Sequence, residues 1–342
     1  MINPGVTLPQ FLAGQSQEHG GEFSALLTQI ASASKIVSKE LRRSKLAHLS
    51  GLTGDVNVQG EAVTKLDQFT NSIFVQALKE SHLVGHIASE EMEEVVRIGG
   101  EDSTRKYSVL LDPLDGSSNA DINGIVGTIF SVHRHLEGMG HGTSQEEKIL
   151  KKGSDQVAAG YVIYGPGTVL VFSAGEGVNG FTLHPELDEF IFSHQDIRMP
   201  DRGNTYAINY GNRAYWFSST EKLVDHFSQE DESTGRPYSQ RWVGSLTADF
   251  HRILLEGGLY VYPRDQKRPD GKLRLLYECA PLAFIARQAG GTASTGMEDI
   301  LDIEPNQLHQ RVPLIIGSRE DVETAERFYR DEEVGEETTK GN

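Results

Sequence analysis

The sequence predicts an α/β (α+β) protein in which mixed sheets are sandwiched by helices. Three observations carry this. Apolar residues recur at helical spacing in several stretches. Short apolar runs of strand length separate those stretches. The two kinds alternate, but not in strict βαβ order, so a simple doubly wound sheet is not expected. A chain of 342 residues with 37% hydrophobic side chains has room for one large or two medium domains and a sizeable core.

Residues 1–20, rich in Gly, Gln and Pro, read as loosely ordered. Leu26, Leu27, Ile30, Ile36, Val37 and Leu41 give a helix over about 22–46. Leu66, Phe69, Ile73, Phe74 and Leu78 give a second over roughly 65–80. A short strand over 83–88 ends in Ser89-Glu90-Glu91, and a strand over 107–111 ends at Asp112. Further strand-like runs lie at 127–133, 157–164 and 168–174, with a Gly- and Lys-rich surface loop over 138–156. A helix over 245–256 stops at Gly257-Gly258, a suitable C-cap, and Leu259–Tyr262 follows as a strand. A helix over 277–289 stops at Gly290-Gly291, and 312–316 reads as a strand. Ser318 and Asp321 suggest a capping box for a last helix. The charged tail from Asp331 is expected to fray, with 336–342 disordered.

Composition excludes several classes. With 49 acidic and 32 basic side chains the formal charge is -17, which disfavours nucleic acid and anionic membranes as partners. No apolar run reaches the length of a membrane span, and no signal peptide is expected. The one cysteine, Cys279, allows no internal disulfide and suits a cytoplasmic protein.

The chemistry gathers at strand ends. Glu90 and Glu91 follow one strand, and Asp112 and Asp115 follow another. Sites in α/β sheets favour such loops. Four converging carboxylates repel one another unless cations compensate, and all-oxygen ligands favour hard ions such as Mg²⁺ or Mn²⁺. Within Asp112-Pro113-Leu114-Asp115-Gly116-Ser117-Ser118-Asn119, Pro113 keeps Asp112 extended. Leu114 can offer only its carbonyl. Gly116 permits a tight turn, and Ser117, Ser118 and Asn119 are good helix N-caps. A helix N-terminus beside a metal cluster is a ready phosphate site.

That eight-residue string resembles the metal and phosphate motif of the lithium-sensitive phosphatase superfamily, in the version of class I fructose-1,6-bisphosphatase. Thr64-Lys65-Leu66-Asp67, Ser89-Glu90-Glu91, Asn209, Arg241, Tyr260 to Pro263 and the string Gly271 to Cys279 fall in family order, so the resemblance covers about 8–330. It implies the sugar-phosphatase fold, a layered αβαβα sandwich with an N-terminal subdomain over 1–200 and a C-terminal one over 201–335. It implies hydrolysis of fructose 1,6-bisphosphate in gluconeogenesis or the Calvin cycle, by a homotetramer using two to three Mg²⁺ per subunit. Glu90, Asp112, the Leu114 carbonyl, Asp115 and Glu278 would bind metal, with Glu61 at a peripheral position where the family often has Asp. Asp67 and Glu91 would orient and deprotonate the attacking water. Arg274, Ser117 and Ser118, with Asp115 and Gly116 beside them, would hold the reacting phosphate. Asn209, Tyr260, Val261, Tyr262, Lys272, and Arg241 from a neighbouring subunit, would bind the far end of the substrate. Trp242 stands there where the family usually has Tyr, and Asn212 stands at another Tyr position.

The same resemblance implies an AMP site at Gly21, Glu22, Ser24, Lys106, Tyr107 and Arg134, with Ser24 and Gly20 replacing threonines. Sedoheptulose 1,7-bisphosphate hydrolysis and a non-catalytic sugar-phosphate sensor are the rival functions. Gly175 to Gly180 fits G-x-G-x-x-G, but strand-like residues follow where a dinucleotide site needs a helix.

Overall fold

The computed structural model describes residues 5–14, 20–44, 46, 51–56, 62–99, 105–134 and 145–340. Two large sheets divide them, beside two two-stranded ones. The larger has eight strands in the order Glu189–His194, Asn179–His184, Thr168–Ser173, Gln156–Tyr164, Val126–Arg134, Tyr107–Asp115, Val84–Ser89, Val96–Arg97. Its neighbours are antiparallel except Val84–Ser89 beside Tyr107–Asp115, which run parallel. The smaller has five, in the order Ser239–Gln240, Thr205–Ile208, Leu259–Tyr262, Leu314–Gly317, Thr292–Ser294.

Strand alternation sets the layers, because successive side chains point to opposite faces. In the larger sheet Phe130 and Val162 pack with the outer helices Leu8–Gly14, Gly20–Arg43 and Lys65–Glu80. Ile129 and Tyr161 face the other way, onto Leu246–Glu256 and Ala280–Gln288. The smaller sheet covers those two helices from beyond with Tyr260 and Tyr262. Its Leu259 and Val261 pack with Ser218–Ser228 and Arg319–Lys340. The sequence is therefore αβαβα, as the resemblance implies. Each fully buried Leu, Ile or Phe in these interlayers contributes roughly 1.5–3 kcal/mol.

The differences from expectation have local causes. Residues 8–14 form a helix instead of loose chain, because Leu8 and Leu12 share one buried face. The strand expected over 312–316 splits at Pro313, which has no N–H for a ladder. Arg311–Val312 pairs with Leu273–Arg274, and Leu314–Gly317 joins the smaller sheet. The helix expected over 277–289 begins as a π-turn over Leu275–Cys279, because Pro281 cannot donate to a carbonyl four residues back. Ser318 and Asp321 make no capping box. The Ser318 hydroxyl donates to the Pro200 carbonyl and accepts from Gly258, while Asp321 accepts from Gly203 and Tyr238. The last helix continues to Lys340 through the tail expected to fray, and just before that tail Arg330 pairs with Glu326 one turn back. The first part of the expected 138–156 loop, from 138 to 144, lies outside the described residues.

Candidate active site

The parallel strands Val84–Ser89 and Tyr107–Asp115 end side by side and deliver Glu90 and Asp112 to one spot. Glu278, on the π-turn, completes a buried trio whose carboxylate oxygens lie within 4.8 Å of one another. The wider π-turn is a recurrent feature of functional sites in helices. Burial comes first in raising the Asp112 carboxyl well above the usual range, followed by repulsion from Glu90, Asp115, Glu278 and Glu91. Burial, then Glu90, raises Glu278 likewise. Like charges so placed in low dielectric cannot all ionise without a cation.

Arg274 supplies part of that charge. It is 3% exposed, with its guanidinium 3.0 Å from Glu90 and 3.9 Å from Glu278. Its backbone N–H also donates to Glu278 at 2.6 Å, which fixes that carboxylate. Asp112 is held by the Leu114 N–H at 3.0 Å, inside the irregular register between Asp112 and Asp115.

Asp115 is held differently. Ser245 Oγ donates to it at 2.6 Å, and the Leu246 and Thr247 amides donate at 3.2 and 2.7 Å. These groups open the Leu246–Glu256 helix, whose N-terminus favours negative charge. Gly116 adopts φ 73°, and a Cβ there would come within 2.7 Å of Ser245, so only glycine fits. Gly116, not a serine, is the N-cap of the one-turn helix Ser117–Ala120, and Ser117 and Ser118 occupy its first turn. Asn119 donates to the Ile125 and Val243 carbonyls.

Asp67 is fixed by a reciprocal cap: it accepts from the Thr64 N–H at 2.8 Å, and its own N–H donates to Thr64 Oγ1 at 3.1 Å. Burial raises its carboxyl, against the lowering effect of Thr64 and Ser117.

One cavity of about 390 Å³ brings these groups together. Its lining includes six carboxylates, Asp67, Glu90, Glu91, Asp112, Asp115 and Glu278, against two cations, Lys272 and Arg274. The donor set is all oxygen and strongly negative, which fits hard divalent cations. Leu114, Gly116, Ser117, Ser118, Asn209, Trp242, Tyr260 and Tyr262 line the same cavity. At its far end Trp242 stacks on Tyr260 with centroids 5.8 Å apart and leans on Tyr262 at 6.0 Å. Lys272 Nζ stands 5.8 Å from the Tyr262 ring centre. Asn209 caps a short 3-10 turn through Gly211.

Three expected residues are not in that lining. Val261 faces the outer core, because it alternates with Tyr260 and Tyr262 along one strand. Arg241 is exposed and its guanidinium donates to the Gln240 carbonyl. Glu61 lies outside the described residues. Conversely, the sequence reading passed over Ser245, Thr247 and Asp249. Asp249 was detectable: it sits on the apolar face set by Leu246, Phe250 and Ile253, where a solvated acid has no place.

The expected AMP residues also lie near one another, with Glu22 and Lys106 exposed and Tyr107 buried. Lys106 Nζ pairs with Glu22 at 2.9 Å, at the start of the Gly20–Arg43 helix that also carries Gly21 and Ser24. Tyr107 lies opposite Arg134 in the sheet and its ring meets Phe23 at 6.4 Å. A larger cavity of about 570 Å³, lined in part by Arg42, Ile125 and Pro166, holds none of the carboxylates above.

Residues 6–195 match the family model for the fructose-1-6-bisphosphatase N-terminal domain, and residues 199–330 that for its C-terminal domain. The chain is 49% identical over 311 residues to the class 1 fructose-1,6-bisphosphatase of Chlorobium luteolum, covering 91% of this chain and 93% of the relative. It is 48% identical over 326 residues to that of Chloroherpeton thalassium, covering 94% and 93%. The holo crystal structure of Leishmania major fructose-1,6-bisphosphatase superposes with a TM-score of 0.89 at 36% identity, covering 95% of this chain and 99% of that one.

Proposed function

This chain belongs to the class 1 fructose-1,6-bisphosphatase family and hydrolyses fructose 1,6-bisphosphate, and on that premise we propose which of its residues do what. The observation that carries the proposal is the gathering of six carboxylates, two cations and an aromatic wall around one cavity. Glu90, Asp112, Asp115, Glu278 and the Leu114 carbonyl hold the divalent metal, which we take to be Mg²⁺ at two to three ions per subunit, with Mn²⁺ able to substitute. When bound, such cations stabilise the charge on a reacting phosphate as Lewis acids.

The chain's own groups do the rest. Arg274, Ser117 and Ser118 hold the phosphate that reacts. Asp67, oriented by Thr64, and Glu91 position the attacking water and take its proton, each within the cavity. Lys272, Asn209, Tyr262 and Trp242 receive the second phosphate, joined by Arg241 of a neighbouring subunit in a homotetramer. Binding energy gathered there, remote from the reacting phosphorus, selects a bisphosphate over a monophosphate. Five of the six carboxylates then belong to an N-terminal subdomain over 1–200, while Glu278 and most of the sugar-phosphate contacts belong to one over 201–335.

We further assign AMP to the cluster of Gly21, Glu22, Ser24, Lys106, Tyr107 and Arg134, where a nucleotide phosphate would compete with Glu22 for Lys106. The test is phosphate release from fructose 1,6-bisphosphate and sedoheptulose 1,7-bisphosphate side by side with Mg²⁺, with and without millimolar AMP. A strong preference for the seven-carbon sugar contradicts the substrate assignment. Activity untouched by AMP removes the nucleotide site.

A further inference from the structure

Asp249 is 1% exposed in the first turn of the Leu246–Glu256 helix, and it does not line the cavity. Its carboxylate accepts the Val243 N–H at 3.0 and 3.1 Å through its two oxygens, and the Gly244 N–H at 3.2 Å. Burial, its largest influence, pushes its carboxyl up to about 6, against the pull of those two amides. An apolar side chain would pack among Leu246, Phe250 and Ile253 without that desolvation cost. The acid therefore has a task, and the two amides define it.

The turn that it grips separates Arg241 and Trp242 from Ser245, the N-cap of the helix that clamps Asp115. Gly244 takes φ 84°, which glycine adopts freely and a residue with a Cβ does not. Asn119, from the metal-binding motif, holds the same turn from its other side through the Val243 carbonyl at 3.3 Å. Trp242 leaves this turn to form the cavity's far wall against Tyr260.

We propose that Asp249 is a positioning residue for recognition of the second phosphate: by binding the Val243 and Gly244 amides it fixes the turn that presents Trp242 to the far end of the cavity. This rests on the reading that the far end takes the second phosphate. An amide in place of the acid has one accepting oxygen and sets an NH₂ group against a backbone N–H. The Asp249→Asn enzyme therefore loses the turn's geometry while the Asp115 clamp, made by Ser245, Leu246 and Thr247, stays.

The test compares kcat and KM of the Mg²⁺-loaded enzyme for fructose 1,6-bisphosphate and for fructose 1-phosphate, which lacks the second phosphate. For Asp249→Asn, KM for the bisphosphate rises about tenfold, the loss expected of a hydrogen bond to a charged group. Its kcat changes little, and the fructose 1-phosphate constants are unaltered. A merely structural role lowers the active fraction, and so kcat, for both substrates alike. Gly244→Ala distorts the same turn without touching the acid and supplies the test if Asp249→Asn fails to fold; its KM for the bisphosphate rises selectively too. A wild-type enzyme that prefers the bisphosphate, with variants that keep the same preference, overturns the inference alone. A wild-type enzyme without that preference overturns the far-phosphate reading and the inference with it.

Discussion

At one end of the cavity charges are fixed by local backbone N–H groups; at the other, rings from separate segments pack together. Asp67, Asp112, Asp115 and Glu278 each accept backbone N–H groups, and three of them lie at strand ends or a helix start. Trp242 stacks on Tyr260 and leans on Tyr262, two residues of one strand, and Arg241 is exposed. Backbone-bound acids cannot relax away from one another, so the carboxylate end is poised for cations before substrate arrives. The aromatic end is shaped by tertiary packing and stands partly open. Chemistry is thus assigned to the rigid end, and choice of substrate to the adaptable one.

The largest effect should come from the rigid end. Removing divalent metal by chelation is expected to abolish phosphate release, and adding Mg²⁺ back should restore it. Replacing Glu91 by Gln should lower kcat by about a thousandfold, the range of a lost general base, with substrate still bound. Retained turnover there takes Glu91 out of the mechanism. Substitutions at the other end should act on KM instead: Lys272→Ala is expected to raise it by roughly ten- to a hundredfold, the worth of a hydrogen bond to a charged group. If Lys272→Ala lowers kcat as strongly as Glu91→Gln does, the two ends do not divide the work.

A smaller effect concerns stability. Burial and repulsion raise Asp112 and Glu278 above their ordinary values of 3.8 and 4.5, so the metal-free folded chain binds protons that the unfolded chain releases. What these two acids contribute to the stability of the metal-free protein is therefore greatest at acid pH and is lost as pH rises through the raised values. Mg²⁺ binds the ionised cluster and offsets that loss. Melting curves at pH 5 and pH 8 should show Mg²⁺ raising Tm by several degrees more at the higher pH. An equal effect at both pH values means that these acids do not hold the metal.

The rigid end was the legible one. Asp112 to Asn119 follows an apolar strand without a break, so position along the chain sets position in space. The Lys65–Glu80 and Leu246–Glu256 helices follow from spacing and caps. What the sequence concealed depends on contacts between distant segments. Asp115 meets Ser245 across 130 positions. Val261 faces away from its neighbours Tyr260 and Tyr262 because the sheet has two covered faces, which a short apolar run does not reveal. Pro313 read as part of one strand, yet it divides two sheets.

The central claim is that the buried trio Glu90, Asp112 and Glu278 holds the divalent metal on which bisphosphate hydrolysis depends. Its most direct test is a Mg²⁺ titration of phosphate release from fructose 1,6-bisphosphate by chelator-treated wild-type and Glu278→Gln enzymes. The expected result is no release without metal, saturable activation of the wild type, and weaker or absent activation of the variant. Metal-independent release, or a variant activated at the same Mg²⁺ concentration as wild type, contradicts it.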